Sequence, residues 1–380
     1  MKLDYLLDLY LNRGLEIIKG EGCYLYDQNG NKYLDMMSNY GANILGYRNN
    51  ILNKIANKQI DELINLHNSF INPIRNELAQ KLLAKCNIEG KILFLNSGAE
   101  AIDAALKFAL YFSKKTKIIA MKNSYHGKTL GSLSVTYNSK YKTNLNDILI
   151  KVDFIDYGNF DELLSYINQQ IGVIIIEPIQ GDGGINLLPT GYLEQLSKLC
   201  QKNKIVLIID EIQTGLGRTG KFLASQWEEV SPDIICLGKG IANGFPLSAV
   251  IVKEEIAKSL PKFFHTSTFG GNLVACSVAL KITELLNDDF LNKIKEKGDY
   301  LIKRLKEINS PLLKDIRGKG LMIGIEVNNK RTEIIKKLQE NFILTIPAGD
   351  NVIRLLPPYI ISLKDIDYFI EKFKEVIKNV

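Results

Sequence analysis

The sequence predicts an α/β protein, with a mostly parallel sheet between helices and a smaller α+β domain after it. From about residue 51 onward, helical patterns alternate with short apolar strands, and several strands are apolar throughout, as strands covered on both faces are. After Cys276 the pattern changes to a long helix, followed by a strand at 321–327. The strands predicted for the large sheet are 91–95, 117–120, 150–154, 173–176, 206–210, 234–237 and 247–252.

Short elements are predicted near both ends of the chain. Asn29 and Gly30 stand between two aromatic, alternating runs, which indicates an antiparallel hairpin. We expect residues 46–275 to form the large domain, and residues 1–45 and 276–380 to form the small one. A helix is predicted from Leu363 onward, with one apolar stripe made of Ile366, Phe369, Ile370, Phe373 and Ile377.

The composition indicates a globular protein of more than one domain. The chain has 380 residues, of which 46% are hydrophobic and 24% are charged, and a domain typically takes roughly 100 to 200 residues. No stretch approaches the ~20 apolar residues that a membrane span needs. Residues 1–4 carry an acid and lack a cleavable apolar core, so we do not expect a signal peptide there. We therefore expect a cytoplasmic protein without a membrane partner.

Cysteine, histidine and charge patterns argue against other classes of site. The five cysteines are odd in number, scattered and never in CxxC spacing, so we expect buried thiols rather than a disulfide framework. The three histidines form no HxxxH or Cys/His cluster, so no metal is expected. The net charge of +6 is spread through lysine-rich helices such as 281–306, a pattern typical of a solvated face. Nucleic acid is not an expected partner.

One carboxylate and one lysine follow two strands that we expect to be adjacent. Asp210 ends the strand at 206–210, and the strand at 234–237 runs into Lys239 between two glycines. This pair suits pyridoxal phosphate, because the lysine amine holds the aldehyde as a Schiff base and the carboxylate keeps the pyridine nitrogen protonated. The sequence therefore predicts Lys239 and Asp210 as the catalytic pair and pyridoxal phosphate as the cofactor.

Two segments offer groups for the cofactor phosphate. Gly98 and Ala99 follow a strand and open a helix, and the aligned dipoles at a helix start attract an anion. An ordinary strand-to-helix turn capped by Ser97 explains the same residues. The segment 266–272 adds hydroxyl groups and bare glycine backbone.

Further polar residues lie at or near strand ends. Tyr125 could cover one face of a flat ring and Lys128 could meet a substrate carboxylate, although packing alone would also explain the aromatic residue. Glu177 follows a strand that is apolar throughout, and buried acids are costly unless they are paired. Arg354 lies in an apolar strand, where its planar fork suits a carboxylate.

The segment 214–221 matches two nucleotide-binding patterns, and we interpret both matches as coincidences. Its glycines spell GxGxxG, but the next strand ends in Lys239 rather than in an acid. The same residues spell GxxxxGK, but Phe222 stands where a magnesium-binding Ser or Thr is required. A nucleotide-binding module built on this segment is the rival outside catalysis.

Seven motifs in order resemble the class III pyridoxal phosphate aminotransferases, in the acetylornithine aminotransferase group. They cover nearly the whole chain and read NSGAEA, YHGKT, EPIQGDGG, DEIQTGLGRTGK, GKGIANGFP, STFGGN and VIRLLPP. Within that group, three further segments look most like the enzymes that act on lysine or ornithine tethered to an amino-group carrier protein. These segments are Asn39-Tyr40-Gly41, GSLSVTYNSKY and AGDNVIRLLPPYII.

The resemblance implies a type I fold for pyridoxal phosphate enzymes and a set of site residues. The cofactor-binding residues would be Gly98, Ala99, Tyr125, Asp210, Ile212, Gln213, Lys239 and Thr268. Gln213 would touch the ring hydroxyl, and Tyr125 and Ile212 would cover the two faces of the ring. Thr268 would come from the neighbouring subunit, so the active unit would be a homodimer. The substrate-binding residues would be Lys128, Ser267, Arg354, Glu177, Asp182 and Tyr40, with Arg354 on the α-carboxylate of glutamate or 2-oxoglutarate.

Two residues depart from the family pattern. Lys128 stands where the family usually has arginine, so a point charge replaces a planar fork. Asp182 stands where the family has glutamate, one methylene longer. If this acid masks Arg354 when the amine substrate is bound, as the family implies, Asp182 must reach farther or act through water.

The resemblance implies a ping-pong transaminase that moves an ω-amino group. The donor would be an α-amino-blocked lysine or ornithine linked to a small acidic carrier protein, and 2-oxoglutarate would be converted to glutamate, in lysine or arginine biosynthesis. Free acetylornithine is the alternative substrate. An aminomutase or a decarboxylase would use the same catalytic pair, but neither would need a 2-oxo acid.

Overall fold

A computed structural model describes residues 5–380, so the predicted absence of a signal peptide at residues 1–4 lies outside the described residues. A seven-stranded sheet lies at the centre of this part of the chain. Its strands, in spatial order, are Gly90–Leu95, Ser248–Lys253, Ile234–Leu237, Val206–Asp210, Ile171–Ile176, Lys117–Met121 and Val152–Ile155. All seven predicted strands are therefore confirmed, each within two residues at either end.

The sheet is mostly parallel, as predicted. Only Ser248–Lys253 runs antiparallel to its two neighbours in this sheet. Alternate side chains of Val206–Asp210 enter two different apolar clusters, with Ile208 in one and Leu207 and Ile209 in the other. This two-residue period explains the unbroken apolar run, since both faces of the strand are covered.

Helices cover both faces of the sheet and continue into the C-terminal region. Asn72 and Asn272 cap two of them by accepting backbone N–H groups at the first turn. The α-helices of eight residues or more are Asn50–Glu62, Pro73–Cys86, Gly98–Ser113, Tyr192–Asn203, Leu273–Leu285, Asp288–Lys306, Arg331–Glu340 and Leu363–Lys378. The shorter ones are Ser38–Gly41, Leu130–Val135, Phe160–Tyr166 and Glu254–Ser259, and the 3-10 turns are Ser139–Tyr141, Asn146–Ile148, Ala224–Trp227 and Lys239–Ala242.

The predicted N-terminal hairpin is confirmed. Strands Tyr24–Asp27 and Lys32–Asp35 pair antiparallel, and the Asp27 carboxylate accepts the backbone N–H groups of Asn29 and Asn31 at 2.9 Å each. Their sheet also contains Ile17–Glu21 and, from the other end of the sequence, Ile343–Leu344, which pairs in parallel with Lys32–Asp35. One sheet thus joins the N-terminal and C-terminal regions.

The C-terminal region has an antiparallel sheet and the predicted amphipathic helix. The sheet order is Leu313–Lys319, Met322–Val327, Val352–Leu355 and Ile346–Ala348. A separate two-stranded ribbon, Ile179–Gln180 with Asn186–Leu187, packs against this sheet. The whole predicted stripe of helix Leu363–Lys378 is buried. The domain boundaries stay a prediction, and the one at 276 falls inside helix Leu273–Leu285.

Three observations bear on the excluded classes of site. All five cysteines are buried and free, so the prediction of buried thiols is confirmed. Within residues 5–380, no helix combines the length and the apolar character needed to cross a bilayer. In the same range, no group of three or more His, Cys, Asp or Glu side chains is arranged to hold a metal ion.

Gly298 lies inside helix Asp288–Lys306, and we predict that no side chain fits at this position. A Cβ on Gly298 would lie 2.1 Å from the carbonyl oxygen of Gly320. Helix propensity alone favours alanine by about 1 kcal/mol, but here the overlap is with rigid backbone. We expect Gly298→Ala to lower the free energy of unfolding by about 1 to 3 kcal/mol in urea denaturation. Asn292→Ala, at an exposed position of the same helix, should be neutral or stabilising, and a stabilised Gly298→Ala would contradict the packing.

Candidate active site

Four neighbouring strands direct their carboxyl ends to one edge of the sheet. They are, in spatial order, Ile234–Leu237, Val206–Asp210, Ile171–Ile176 and Lys117–Met121. Asp210 ends one of these strands, and Lys239, Glu177 and Tyr125 follow the other three. The predicted adjacency of the Asp210 and Lys239 strands is confirmed, since Asp210 pairs with Cys236 in parallel register. Open α/β sheets bind ligands at such an edge.

Asp210 is held from both of its oxygens. It is 4% exposed, and one oxygen accepts the backbone N–H of Ile212 at 3.0 Å. The other oxygen lies 2.6 Å from Nδ1 of the fully buried His126. When Asp210 is ionised it can only accept, so the imidazole proton is then on Nδ1. These two contacts fix the direction in which the carboxylate faces.

The part played by His126 was missed by sequence reasoning. The sequence places His126 beside Tyr125 in a loop, a combination that is more often simple packing. Its backbone N–H donates to Thr136 at 2.9 Å, which orients the loop. The contact with Asp210 joins residues 84 positions apart, and no local pattern in the sequence signals it.

Lys239 presents an amine at the carboxyl end of strand Ile234–Leu237. It follows the extended Gly238 and has a φ of 43°, which lifts it out of the strand direction. Lys239 is only partly exposed to solvent. Burial lowers the pKa of its ammonium group, and the negative charge of Asp210 opposes this shift without cancelling it. Within residues 5–380, its Nζ has no hydrogen bond or ion pair. A desolvated, unengaged amine is the state that a nucleophilic lysine requires.

Glu177 connects two loops of the site. Its carboxylate accepts the backbone N–H of Tyr125 at 3.0 Å and that of Gly181 at 3.1 Å. Burial raises the pKa of Glu177 to about 7, with His126 opposing and Asp210 adding to the shift. Because both oxygens are used by backbone groups, the observed contacts of Glu177 position loops. A direct contact with substrate stays a prediction.

The start of helix Gly98–Ser113 offers free backbone donors. Ser97 caps the helix by accepting the N–H of Glu100 at 3.3 Å, and its carbonyl accepts that of Ala101. Gly98 and Ala99 occupy the remaining first-turn positions, whose N–H groups have no partner within a helix. The capped turn and the anion site are therefore compatible, because the cap uses a different amide.

Ile212 closes one side of this cradle. A Cβ on Gly98 would lie 3.0 Å from Ile212 Cδ1, and one on Gly238 would lie 3.2 Å from Ile212 Cγ2. Both contacts are tighter than side chains normally tolerate, so the two glycines let the backbone close around Ile212. The Tyr125 loop lies against the start of helix Gly98–Ser113. A Cβ on Gly127 in this loop would lie 2.8 Å from Ala99 Cβ.

Aromatic rings and Lys128 form the outer part of the site. Tyr125 and Tyr141 meet edge to face with centroids 6.1 Å apart. Lys128 is exposed, and its Nζ lies 4.1 Å from the ring centroid of Tyr141 and 5.9 Å from that of Tyr125. Tyr141 was missed by sequence reasoning, because it follows Lys128 at a distance set by the intervening helix and turn. The rings hold the lysine charge at the exposed side of the site.

Arg354 is a buried guanidinium with one half-exposed partner. It is 2% exposed, and its Nη1 donates to Gln213 Oε1 at 3.2 Å. Its Nη2 lies 3.6 Å from a carboxylate oxygen of Asp182, whose side chain is 40% exposed. Asp182 therefore reaches ion-pair distance despite its shorter side chain. Burial lowers the pKa of Arg354, and Asp182 opposes that shift.

Tyr40 reaches the same place from a left-handed turn. Its ring centroid lies 5.8 Å from the guanidinium of Arg354. Four consecutive residues have positive φ, namely Ser38 at 39°, Asn39 at 50°, Tyr40 at 58° and Gly41 at 88°. A left-handed conformation costs roughly 1 to 2 kcal/mol for each residue other than glycine, so surrounding contacts must hold the turn.

Ser267 and Thr268 lie in different surroundings. Ser267 Oγ accepts the side-chain N–H of Asn96 at 3.3 Å and the backbone N–H of Gly270 at 3.0 Å, which places it beside the Gly90–Leu95 strand end. Thr268 is exposed. Within residues 5–380, its hydrogen bond is through its carbonyl to Asn65, and its hydroxyl contacts none of the predicted phosphate ligands of its own chain.

The glycines of segment 214–221 pack against protein. A Cβ on Gly217 would lie 2.9 Å from Leu291 Cδ2, and one on Gly220 would lie 2.9 Å from Lys295 Cβ. The segment leads into the 3-10 turn Ala224–Trp227 rather than into a long helix. It thus lacks the strand–loop–helix arrangement that both nucleotide-binding patterns need.

These residues fit pyridoxal phosphate. The cofactor needs an amine for its aldehyde, an anion for its ring nitrogen and donors for its phosphate. Lys239, the buried and fixed Asp210, and the free amides of Gly98 and Ala99 would supply them. Ile212 packs against Gly98 and Gly238 at the cradle, where it would cover one ring face.

Comparisons with known proteins agree with this chemistry. The profile of the aminotransferase class-III family matches residues 10–377. A LysW-aminoadipate semialdehyde/glutamate semialdehyde transaminase of Sulfurisphaera tokodaii is 40% identical over 365 residues, covering 95% of this chain and 94% of the relative. An acetylornithine aminotransferase of Aquifex aeolicus is 35% identical over 381 residues, covering 99% of this chain and all of the relative.

The fold agrees as well. The crystal structure of the ornithine aminotransferase of Toxoplasma gondii ME49 superposes with a TM-score of 0.94 at 30% identity, covering 99% of this chain and 93% of that one. Family, fold and the lysine–aspartate pair at one sheet edge lead to the same conclusion. The chain belongs to the class III aminotransferases and is a pyridoxal phosphate-dependent aminotransferase.

Proposed function

We propose that this aminotransferase moves an ω-amino group between an α-amino-blocked lysine or ornithine, held on a small acidic carrier protein, and the pair 2-oxoglutarate/glutamate. The reaction belongs to lysine or arginine biosynthesis. The observation that carries the proposal is the buried Arg354 faced by a half-exposed Asp182. A fixed cation with a removable anion can bind the α-carboxylate of a 2-oxo acid in one half-reaction and be covered in the other.

The chain's own groups divide the work of the reaction. When bound, pyridoxal phosphate supplies an aldehyde that takes up an amine and a ring that accepts electrons. Lys239 Nζ would hold the cofactor through its aldehyde until a substrate amine takes its place, and the freed amine would then be the base that moves the proton at the carbon bearing the substrate nitrogen. Asp210, oriented by His126 and Ile212, would hold the proton of the ring nitrogen. Tyr125 and Ile212 would cover the two faces of the ring.

Three findings support a carrier-linked substrate. The carrier is named for the Sulfurisphaera tokodaii relative, and the net charge of +6 favours association with an acidic protein. Lys128, at the exposed side of the site, adds a positive charge where a carboxylate would arrive. Free acetylornithine is the second candidate, favoured by the Aquifex aeolicus relative.

The proposed active unit is a homodimer with shared active sites. The exposed Thr268 hydroxyl would complete the phosphate site of the neighbouring subunit. Several large apolar side chains are exposed. Phe269, the next residue in the sequence, is 62% exposed, and Phe263, Ile71 and Phe70 are 92%, 87% and 63% exposed. Apolar side chains exposed to this extent are typical of an interface.

Lys239→Ala should abolish turnover without unfolding the protein. We expect kcat to fall by at least about 1,000-fold, because both the covalent attachment and the proton transfer are lost. The variant should still bind the cofactor noncovalently, as its visible spectrum would show. Borohydride should label the peptide bearing residue 239 in the wild type and not in the variant. Lys221→Ala, in the GxxxxGK segment, is the matched control and should keep both turnover and labelling. Near-normal turnover of Lys239→Ala would refute the assignment of Lys239.

Substitutions of Asp182 should change how Arg354 accepts 2-oxoglutarate. Asp182→Asn removes the competing charge, so the KM for 2-oxoglutarate should fall about two- to fivefold, the range expected for a half-exposed ion pair. Asp182→Glu can close the 3.6 Å gap to hydrogen-bonding distance, so this KM should rise. Steady-state kinetics at fixed amine concentration gives both values. Equal KM values in all three proteins would show that Asp182 does not mask Arg354.

Salt should distinguish the two candidate substrates. If the carrier docks through charge, kcat/KM for carrier-linked lysine should fall roughly tenfold between ~0.05 and ~0.5 M salt. For acetylornithine it should change by less than about twofold, since a small ligand lacks the extended charged surface. A preference for acetylornithine that is insensitive to salt would defeat the carrier proposal.

A further inference from the structure

Arg218 is a buried cation that the proposed reaction does not use. It lies in the TGLGRTGK segment and is 1% exposed. Within residues 5–380, no carboxylate lies within ion-pair distance of its guanidinium. Because arginine stays charged in proteins and an isolated buried charge is costly, its contacts must compensate for the lost water.

Those contacts join three separate segments of the chain. Nη1 donates to the carbonyls of Leu321 at 3.1 Å and Pro357 at 2.7 Å, and Nη2 donates to Ser38 Oγ at 3.3 Å. The guanidinium also lies 4.6 Å from the ring centroid of Tyr359. Three acceptors in three directions match the planar fork of arginine, which a lysine ammonium cannot reproduce.

Two of these segments carry the carboxylate-binding residues. Ser38 opens the left-handed turn that presents Tyr40, and its hydroxyl donates to the carbonyl of Leu356 at 2.6 Å. Leu356 and Pro357 directly follow strand Val352–Leu355, which carries Arg354. The turn and the strand end are therefore joined through one hydroxyl and one guanidinium.

Gly41 shows how closely Arg218 lies under the site. A Cβ on Gly41 would lie 4.0 Å from Arg218 Nη2 and 4.0 Å from Gln213 Cγ. Gln213 is the residue that accepts the hydrogen bond of Arg354. Arg218 thus lies close to the Tyr40 turn and next to the end of the Arg354 strand, but it reaches none of the reacting groups itself.

We propose that Arg218, acting through Ser38, is the positioning residue for the carboxylate side of the site: it ties the Tyr40 turn to the Arg354 strand, so that a 2-oxo acid meets both in a fixed geometry. The inference rests on the proposed role of Arg354 in binding the α-carboxylate. Without the tie, the turn relaxes from its left-handed conformation, and Tyr40 no longer faces Arg354.

The test separates the two half-reactions of the holoenzyme. Arg218→Lys and Ser38→Ala are mixed rapidly with either the amine substrate or 2-oxoglutarate, and each half-reaction is followed in the visible spectrum. We expect the concentration of 2-oxoglutarate that gives half-maximal rate to rise about tenfold or more, because small misplacements of a binding group carry large penalties. The amine half-reaction should change by less than about twofold.

Ser38→Gly separates positioning from stability. Both Ser38→Gly and Ser38→Ala remove the hydroxyl, so both should weaken 2-oxoglutarate binding to the same extent. Glycine adopts a positive φ without strain, so Ser38→Gly should unfold at a higher urea concentration than Ser38→Ala. If Arg218→Lys does not fold, the Ser38 pair carries the test. Folded variants with unchanged 2-oxoglutarate kinetics, or with both half-reactions slowed equally, would overturn the inference.

Two reference variants separate this inference from the proposed function. Arg304→Gln, far from the site at a contact with Asp367, should leave both half-reactions unchanged. Arg354→Lys should weaken the 2-oxoglutarate half-reaction most. If Arg354→Lys has no effect, the proposed role of Arg354 fails and the inference fails with it. If Arg354→Lys alone has an effect, the inference alone fails.

Discussion

The parallel pairing of strands Val206–Asp210 and Ile234–Leu237 is the constraint on which the rest of the site depends. Its register sets Asp210 beside Cys236, so Lys239 leaves the sheet three residues after the partner of Asp210. Both strands are buried on both faces and bonded to neighbours on either side. A shift of one residue would turn every side chain to the opposite face, so the spacing of carboxylate and amine is fixed by the core.

At this site, burial shifts the pKa values of acidic and basic side chains in opposite directions. Burial raises the pKa of Glu177 to about 7 and lowers the pKa values of Lys239 and Arg354. Glu177 is compensated by two backbone amides, Asp210 by His126, and Arg354 by Asp182 and Gln213. Lys239 differs because, in the part of the chain that the structure describes, its amine has no such partner. In the proposed reaction it is also the group that forms and breaks a covalent bond.

Local sequence patterns predicted the strands, the hairpin, the final helix and the residues at strand ends, because period and turn chemistry are local properties. They did not predict the contact of His126 with Asp210, since its partners are 84 residues apart. They also gave no sign of the left-handed turn at Tyr40, whose first residue, Ser38, contacts Arg218 and Leu356 from distant parts of the chain. What remained unpredictable therefore depends on long-range contacts rather than on residue type.

In the proposed reaction, one cleft must accept a carboxylate next to Arg354 in one half-reaction and exclude that charge in the other. Arg354 cannot move away, because it is buried and lies in a strand that pairs on both sides. The backbone of Asp182 is also held, since its carbonyl accepts the N–H of Gly349 at 2.7 Å. Arg317 Nη2 donates to the carbonyl of Gly184 at 2.7 Å and fixes the same loop from the other side. The half-exposed carboxylate of Asp182 is then the group left free to move, so the switch between substrates requires a side-chain rotation and no loop opening.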